Sequence, residues 1–378
     1  MKVKLMTLIV GLAVFAGAIW WANQEPLASA DMMGDVVFSP AEITALLEDE
    51  TFYWDDNPDY LVGWRLFEVR LQDGEYGEVR THITPTMHRH FEVGDRVMTR
   101  FSYHDGNLIS AEITSLDRTR IMIGLAVVFL GVLVALGGKA GIKTVLSLLF
   151  TVVSIVFVLN PLLLRGFAAI PTTIGILSFV TVIVLILISG LSRKTLVSVW
   201  ACLIGVLCAA LAAHIAGELA ALNGMNTENV GSLMQASDMN GVAFDASGLF
   251  ISGVLIASLG AVMDTAVSIA SSVSELKLAN PSLSQKQLFK ASYNIGKDMM
   301  GTMANTLILA FAGAGLNMLL TLSALQISFH QMLSNDFMGI EIIRSLAGSL
   351  GIALTVPVAA FIGSWIYSRD VSAGSGEQ

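Results

Sequence analysis

The stretch GLFISGVLIASLGAVMDTAVSIASS, residues 248–272, runs for 25 residues with one ionisable side chain, Asp264. As a helix it measures about 38 Å at about 1.5 Å per residue, enough to cross a hydrocarbon layer about 30 Å thick. Seven further stretches have the same apolar character: residues 5–22, 121–136, 142–160, 171–190, 195–216, 299–320 and 342–367. The stretch 121–136 is short and ends at Gly137-Gly138, and the last carries Pro357, which neighbouring helices in a bundle can accommodate. Composition agrees: 54% of the residues are hydrophobic and 13% charged, against about 25% charged in soluble domains. These values exclude a cytosolic enzyme and a disordered scaffold. The net charge of −9 argues against a nucleic-acid partner, because phosphate affinity rests on clustered basic residues. Cys202 and Cys208 lie six residues apart in one apolar block, a spacing that suits neither a disulfide nor a CxxC metal site. The fold class expected is an α-helical polytopic membrane bundle of about eight transmembrane helices, with the lipid bilayer as its first partner.

Orientation follows the positive charges of the short loops. With Lys2 and Lys4 inside, the inner segments carry Lys139, Lys143, Arg193, Lys194, Lys277, Lys286, Lys290, Lys297 and Arg369. The short outer loops carry only Arg165 and Arg344. Both termini are therefore expected in the cytoplasm. This divides the chain into a first helix (1–22), an extracytoplasmic domain (23–120), a seven-helix domain (121–367) and a cytoplasmic tail (368–378). The first span has a rival reading, since Lys2, Lys4, an apolar core and Ala28-Ser29-Ala30 also resemble a cleavable signal peptide. Its length and the Trp20-Trp21 interfacial pair favour a retained anchor.

Residues 23–120 differ sharply, with 8 Arg, no Lys and 19 Asp+Glu, a balance of 8 − 19 = −11. Ser39-Pro40-Ala41-Glu42 has the form of a capping box with proline at the first helical position, which predicts a short helix over 40–50. The period then changes to two. Trp64–Leu71, Glu78–Thr84, Arg96–Tyr103 and Leu108–Leu116 alternate apolar and polar, with Asp73-Gly74 and Asp105-Gly106-Asn107 as hairpin turns. A small β-rich, OB-like barrel of four or five strands is expected. It holds His82, His88, His90 and His104, and on a strand His88 and His90 would share one face beside Met87. They are the candidate metal ligands, but without a cysteine or a recognised ligand spacing the bland reading, solvated histidines on an acidic domain, is preferred. His214 and His330 also fall on the outer side in this topology.

Ionisable groups inside spans are functional candidates by default, because a charge at the bilayer centre costs about 2.5–3.5 kcal/mol or more. Asp264 is the clearest. Ser268, Ser271 and Glu275 follow it at spacings of 4, 3 and 4, so one helix face is polar throughout. The next span and its approach repeat the pattern with Asn294, Asp298, Gly301 and Asn305, flanked by Lys297 and Thr302. Asp264 lies about 12 Å and Asn305 about 9 Å from the inner ends of their helices, which predicts hydrogen bonds from Asn305 and Thr302 to the acid. The plainer reading makes serines and glycines a packing surface, yet packing does not require a carboxylate. His214–Glu218 and Glu341–Arg344 read as pairs near the outer surface, the latter an ion pair. No nucleotide-binding, zinc-protease or serine-hydrolase motif is visible, so neither an enzyme nor a cofactor is expected.

Four blocks carry a resemblance: GAVMDTAVSIASSVSEL (260–276), NPSLSQKQLFKASYNIGKDMMGTMANTLILAFAG (280–313), LLFTVVSIVFVLNPLLLRG (148–166) and DFMGIEIIRSLAGSLGIALTVPVAAFI (336–362). They closely resemble the YibE/F family of bacterial multi-pass membrane proteins over roughly residues 120–363. The resemblance implies a bacterial cell (inner) membrane location and brings no substrate, reaction or catalytic residues with it. A fainter similarity, of about 50 residues around Asp264, is to the coupling region of RND exporters and the SecF export component, which run on protons through intramembrane acids. The expected function is ion-coupled secondary transport or export of an unidentified small molecule or ion. Asp264 is the coupling carboxylate, with Ser268, Ser271, Glu275, Asn294, Asp298, Thr302 and Asn305 as candidate neighbours. The alternative is a non-transporting assembly or sensor protein whose external domain binds an envelope protein, with a homo-oligomer compatible with either.

Overall fold

The computed structural model describes residues 15–23, 36–53, 61–71, 74, 76–83, 90–104, 107–222, 224–225, 231, 233 and 245–368. The chain divides into two compact units, Leu27–Val132 and Met1–Pro26 with Leu133–Gln378.

The first unit is a barrel. Strands β1 (Val36–Tyr53), β2 (Leu61–Leu71), β3 (Tyr76–Ile83), β4 (Arg96–His104) and β5 (Asn107–Leu116) close in the order β1-β2-β3-β5-β4. All pairings are antiparallel except β3 with β5. Alternation fills the interior: Phe67 and Val69 on β2 are buried, as are Val97 and Phe101 on β4, while Arg70 and Arg96 point outward. The helix expected over 40–50 is not there. That segment lies within β1, which pairs with β4 through Val36–Glu42 and with β2 through Ala41–Tyr53. The capping-box pattern is local, whereas Ala41 and Ile43 are two apart and both enter the core, a period only a strand supplies. Ser39 caps nothing, and its carbonyl instead accepts the Thr99 hydroxyl at 2.7 Å. Gly63 fits the opposite bend, with φ +129 and the Glu50 carbonyl where a side chain would stand.

In the second unit, residues 15–22 form helix α1. Helix α2 (Thr119–Ser154) begins in the barrel unit and continues here, with a break at Gly138 (φ 52, ψ −128). A methyl on Gly141 would overlap the Leu133 carbonyl, although eight residues of straight helix separate such atoms by about 12 Å. The chain therefore reverses at Gly137-Gly138, where the sequence divides two apolar runs.

A π-helical turn (Ile155–Leu159) leads into α3 (Asn160–Leu164). Pro161 has no N–H for the Phe157 carbonyl four residues back. The Asn23 amide donates to that carbonyl at 2.9 Å, tying α1 to this turn. Phe15 adds a ring contact to Phe150, centroids 4.6 Å apart.

Helices α4 (Ala169–Ser189), α5 (Arg193–Leu219), α6 (Ala246–Ala279), α7 (Gln285–Ala314), α8 (Leu316–Ala324), α9 (Phe329–Leu333) and α10 (Asp336–Ser368) complete the unit. Its centre is α6, packed on α4, α5, α7 and α10. The turn between α6 and α7 is fixed at both ends. Lys277 donates to the Pro281 and Leu283 carbonyls, and Ser284 with Gln287 forms a capping box. Five helices are long and apolar enough to cross a membrane, or six if α7 and α8, bent by 57°, count as one span.

Candidate functional site

Asp264 stands about 27 Å from the start of α6 and about 23 Å from its end at the helical rise. Its side chain is exposed, and it accepts no hydrogen bond among the described residues. Gly260, one turn earlier, has nothing within 4 Å of where a methyl would stand. Ser268 and Ser271 are half-buried and Glu275 is exposed, so the polar stripe read from spacing is the open side of an otherwise enclosed helix.

The depth match with α7 holds. The Thr265 hydroxyl reaches the Met303 sulfur at 2.8 Å while donating to its own Ala261 carbonyl, which sets Asp264 level with the Thr302–Asn305 turn. The expected hydrogen bonds from Asn305 and Thr302 to Asp264 are absent. Helix α7 presents Leu288, Ser292, Gly296, Met303 and Leu307 to its neighbours. At 100° per residue, Asn294, Asp298, Gly301 and Asn305 fall about 140–200° away from Met303. They are exposed with Thr302, whose hydroxyl donates to its own Met299 carbonyl at 2.8 Å. Spacing identified the stripe correctly but could not say which of two stripes faces the bundle. The second, built of small and apolar side chains, packs.

The structure raises the standing of Glu341 and Arg344. Their ion pair is 2.7 Å long, with side chains only 17% and 23% exposed. The guanidinium lies over Phe311 at 6.0 Å and 3.7 Å from where a methyl on Gly253 would stand. Arg344 Nε is enclosed without a partner. A cavity of about 280 Å³ beside the pair is lined by Phe311, Gly315, Glu341 and Ser345, among others. The sequence marked the pair by two opposite charges at i and i+3 at the outer mouth of the last span; α10 starts earlier, at Asp336, which sets Glu341 about 8 Å and Arg344 about 12 Å into the helix at about 1.5 Å per residue.

Of the histidine pair, His88 lies outside the described residues, and His90 is half-buried with Nδ1 enclosed and unbonded. No group of three metal-ligating side chains occurs among the described residues.

The family profile described as YibE/F-like protein matches residues 125–369, well over half the chain. The chain belongs to the YibE/F-like family. No curated protein and no solved structure matches. The YibE/F-like region holds nearly all of α2 and every later helix, so Asp264 and the Glu341–Arg344 pair both lie inside it. The barrel strands, ending at Leu116, lie outside.

Proposed function

We propose that this YibE/F-like protein is an ion-coupled membrane transporter or exporter in which Asp264 is the site that binds and releases the coupling ion. The observation that carries the reading is a single unpaired, accessible carboxylate midway along a membrane-length helix. Facing hydrocarbon it would cost at least about 2.5–3.5 kcal/mol, so this face opens on water or on another polar surface. The open space at Gly260 supports an accessible face around the acid, while the polar stripe of α7 reaches the same level on the side of that helix turned away from α6. In this reading eight spans cross a bacterial cell membrane with both termini in the cytoplasm and the barrel outside. The α2 reversal, the bent α7–α8 pair and α1 make up the number.

A second reading has its own support. The Ser271, Ser272, Thr302 and Thr306 hydroxyls all donate to carbonyls of their own helices, as they do on faces that only pack. On that reading the polar faces are an assembly surface. Asp264→Asn separates the two. Purified protein is reconstituted in liposomes carrying a pH-sensitive dye, and a proton gradient is imposed. Coupling predicts proton uptake by the wild type and its loss in Asp264→Asn, with insertion and melting temperature unchanged. Equal uptake by both proteins refutes the proposal.

A further inference from the structure

The barrel unit contains a cleft of about 450 Å³, lined by Pro40, Glu42, Arg70, Arg96, Asp117 and Arg120, among others. Among the described residues that line it, three guanidiniums stand against two carboxylates, within a segment whose own balance is −11. The acids are already engaged. Glu42 pairs with Arg70 at 3.1 Å. Asp117 accepts the Thr119 backbone N–H at 3.0 Å, and with the Thr119 hydroxyl this holds its carboxyl below the usual range. The guanidiniums of Arg96 and Arg120 make no hydrogen bond or ion pair with other described residues beyond the field of Asp117. Two guanidiniums without a partner among the described residues therefore border one cleft, one from strand β4 and one from the first turn of α2.

Position narrows the ligand. Arg120 directly precedes the apolar run that starts at Ile121, so in the membrane topology proposed above, on which this step rests, the cleft stands where α2 passes from water into hydrocarbon. That level holds the phosphates of lipid headgroups. A guanidinium offers paired N–H donors that match phosphate oxygens, and a second one completes a clamp on a tetrahedral anion. The volume lies within the range of about 300–1,000 Å³ typical of small-ligand sites.

We propose that this cleft binds a phosphate group, carried by an anionic lipid headgroup or by a free phosphate compound, with Arg96 and Arg120 as its direct ligands. The inference does not depend on Asp264 or on transport. Full-length protein in a maltoside detergent is titrated with short-chain phosphatidylglycerol, short-chain phosphatidylcholine and inorganic phosphate, and binding is read by microscale thermophoresis. Saturable binding of phosphatidylglycerol but not phosphatidylcholine is expected, weakened at least tenfold by Arg96→Gln and by Arg120→Gln. Arg100→Gln, on β4 outside the cleft, leaves it unchanged. If inorganic phosphate binds as tightly as the lipid, the source is a soluble phosphate; if only the lipid binds, it is the headgroup. Arg96→Lys with Arg120→Lys keeps the charge and removes the paired donors, so intermediate affinity is expected, and this variant stands in should a glutamine variant fail to fold. No saturable binding of either probe, or binding that neither the glutamine nor the lysine variants weaken, overturns the proposal.

Discussion

Replacing Gly205 by alanine tests the central joint of the helical unit. Gly205 on α5 faces Thr355 on α10 and Val262 on α6. A methyl there would overlap the Thr355 hydroxyl oxygen and stand 2.9 Å from Val262 Cγ1 and 3.2 Å from Thr355 Cβ. All three positions are buried, and the Thr355 hydroxyl donates to the Gly351 carbonyl at 2.7 Å, so it cannot swing aside freely. The three helices must part or Thr355 must change rotamer. Overpacking of this kind costs about 1–3 kcal/mol. For a unit of this size each kcal/mol moves the melting temperature by about 2–4 °C, so a loss of about 2–12 °C is expected in detergent. The double variant Gly205→Ala with Thr355→Ala removes the overlapping oxygen. What remains are the 2.9 Å approach to Val262 Cγ1 and the 3.2 Å approach to Thr355 Cβ, both smaller misfits than the overlap with the oxygen, so the pair should melt above Gly205→Ala alone but below the wild type. Both effects are read by a fluorescence-monitored melt with a double-mutant cycle. A neutral Gly205→Ala, or two losses that simply add, would refute the close approach of α5, α6 and α10.

Two further outcomes follow from charge. In the barrel, hydrogen bonding to Arg65 holds the Asp49 carboxyl below its ordinary value, with Thr51 assisting. A depressed folded-state pKa gives stability that is fully present above the unfolded value of about 3.9 and fades as pH falls through the folded one. Asp49 itself is exposed to solvent, so the effect is small. Asp49→Asn should flatten the acid limb of the barrel's stability profile below about pH 4 without changing its neutral plateau by more than about 1 kcal/mol. An unchanged acid limb would contradict the pairing. In the helical unit, Arg344→Met leaves Glu341 four-fifths buried without its cation, and breaking such a pair costs about 3–5 kcal/mol, here at the lower end. Glu341→Leu with Arg344→Met should recover most of that loss, and a double variant as unstable as the single one would mean that Arg344 holds the bundle through other contacts.

How much of this was legible in advance differs between the units. Strands β2 to β5 were read to within three residues at either end, because one solvated face imposes strict alternation. Strand β1 was misread because Ser39-Pro40-Ala41-Glu42 satisfies a helical start locally, and only partners some 25 and 60 residues away make it a strand. Among the helices, length and hydropathy located the apolar helices, of which five, or six with the bent α7–α8 pair, are long enough to cross a membrane, and Gly137-Gly138 marked the reversal. They could not orient α7, whose polar stripe and packing stripe share the same spacing. In lipid, apolar residues are at home on either side, so hydrophobicity does not decide which stripe turns inward, and small residues that allow close approach do.

That same rule separates the two charged sites within the helical unit. Glu341 and Arg344 neutralise each other, are largely enclosed, and sit against an aromatic ring and a glycine; an architecture that needs a polar joint can use such a pair without further chemistry. Asp264 is in the opposite position. Its helix is packed on every other side, its neighbours Gly260 and Ala257 leave the face open, and none of the hydroxyls around it is turned toward it. Stability gains nothing from a carboxylate left in this way, and an alanine there would complete the row of small residues from Gly253 through Ala257 and Gly260. A charge that the fold neither buries nor pairs among the described residues asks for a role outside packing, and its position midway along a membrane-length helix is what the coupling role proposed above requires.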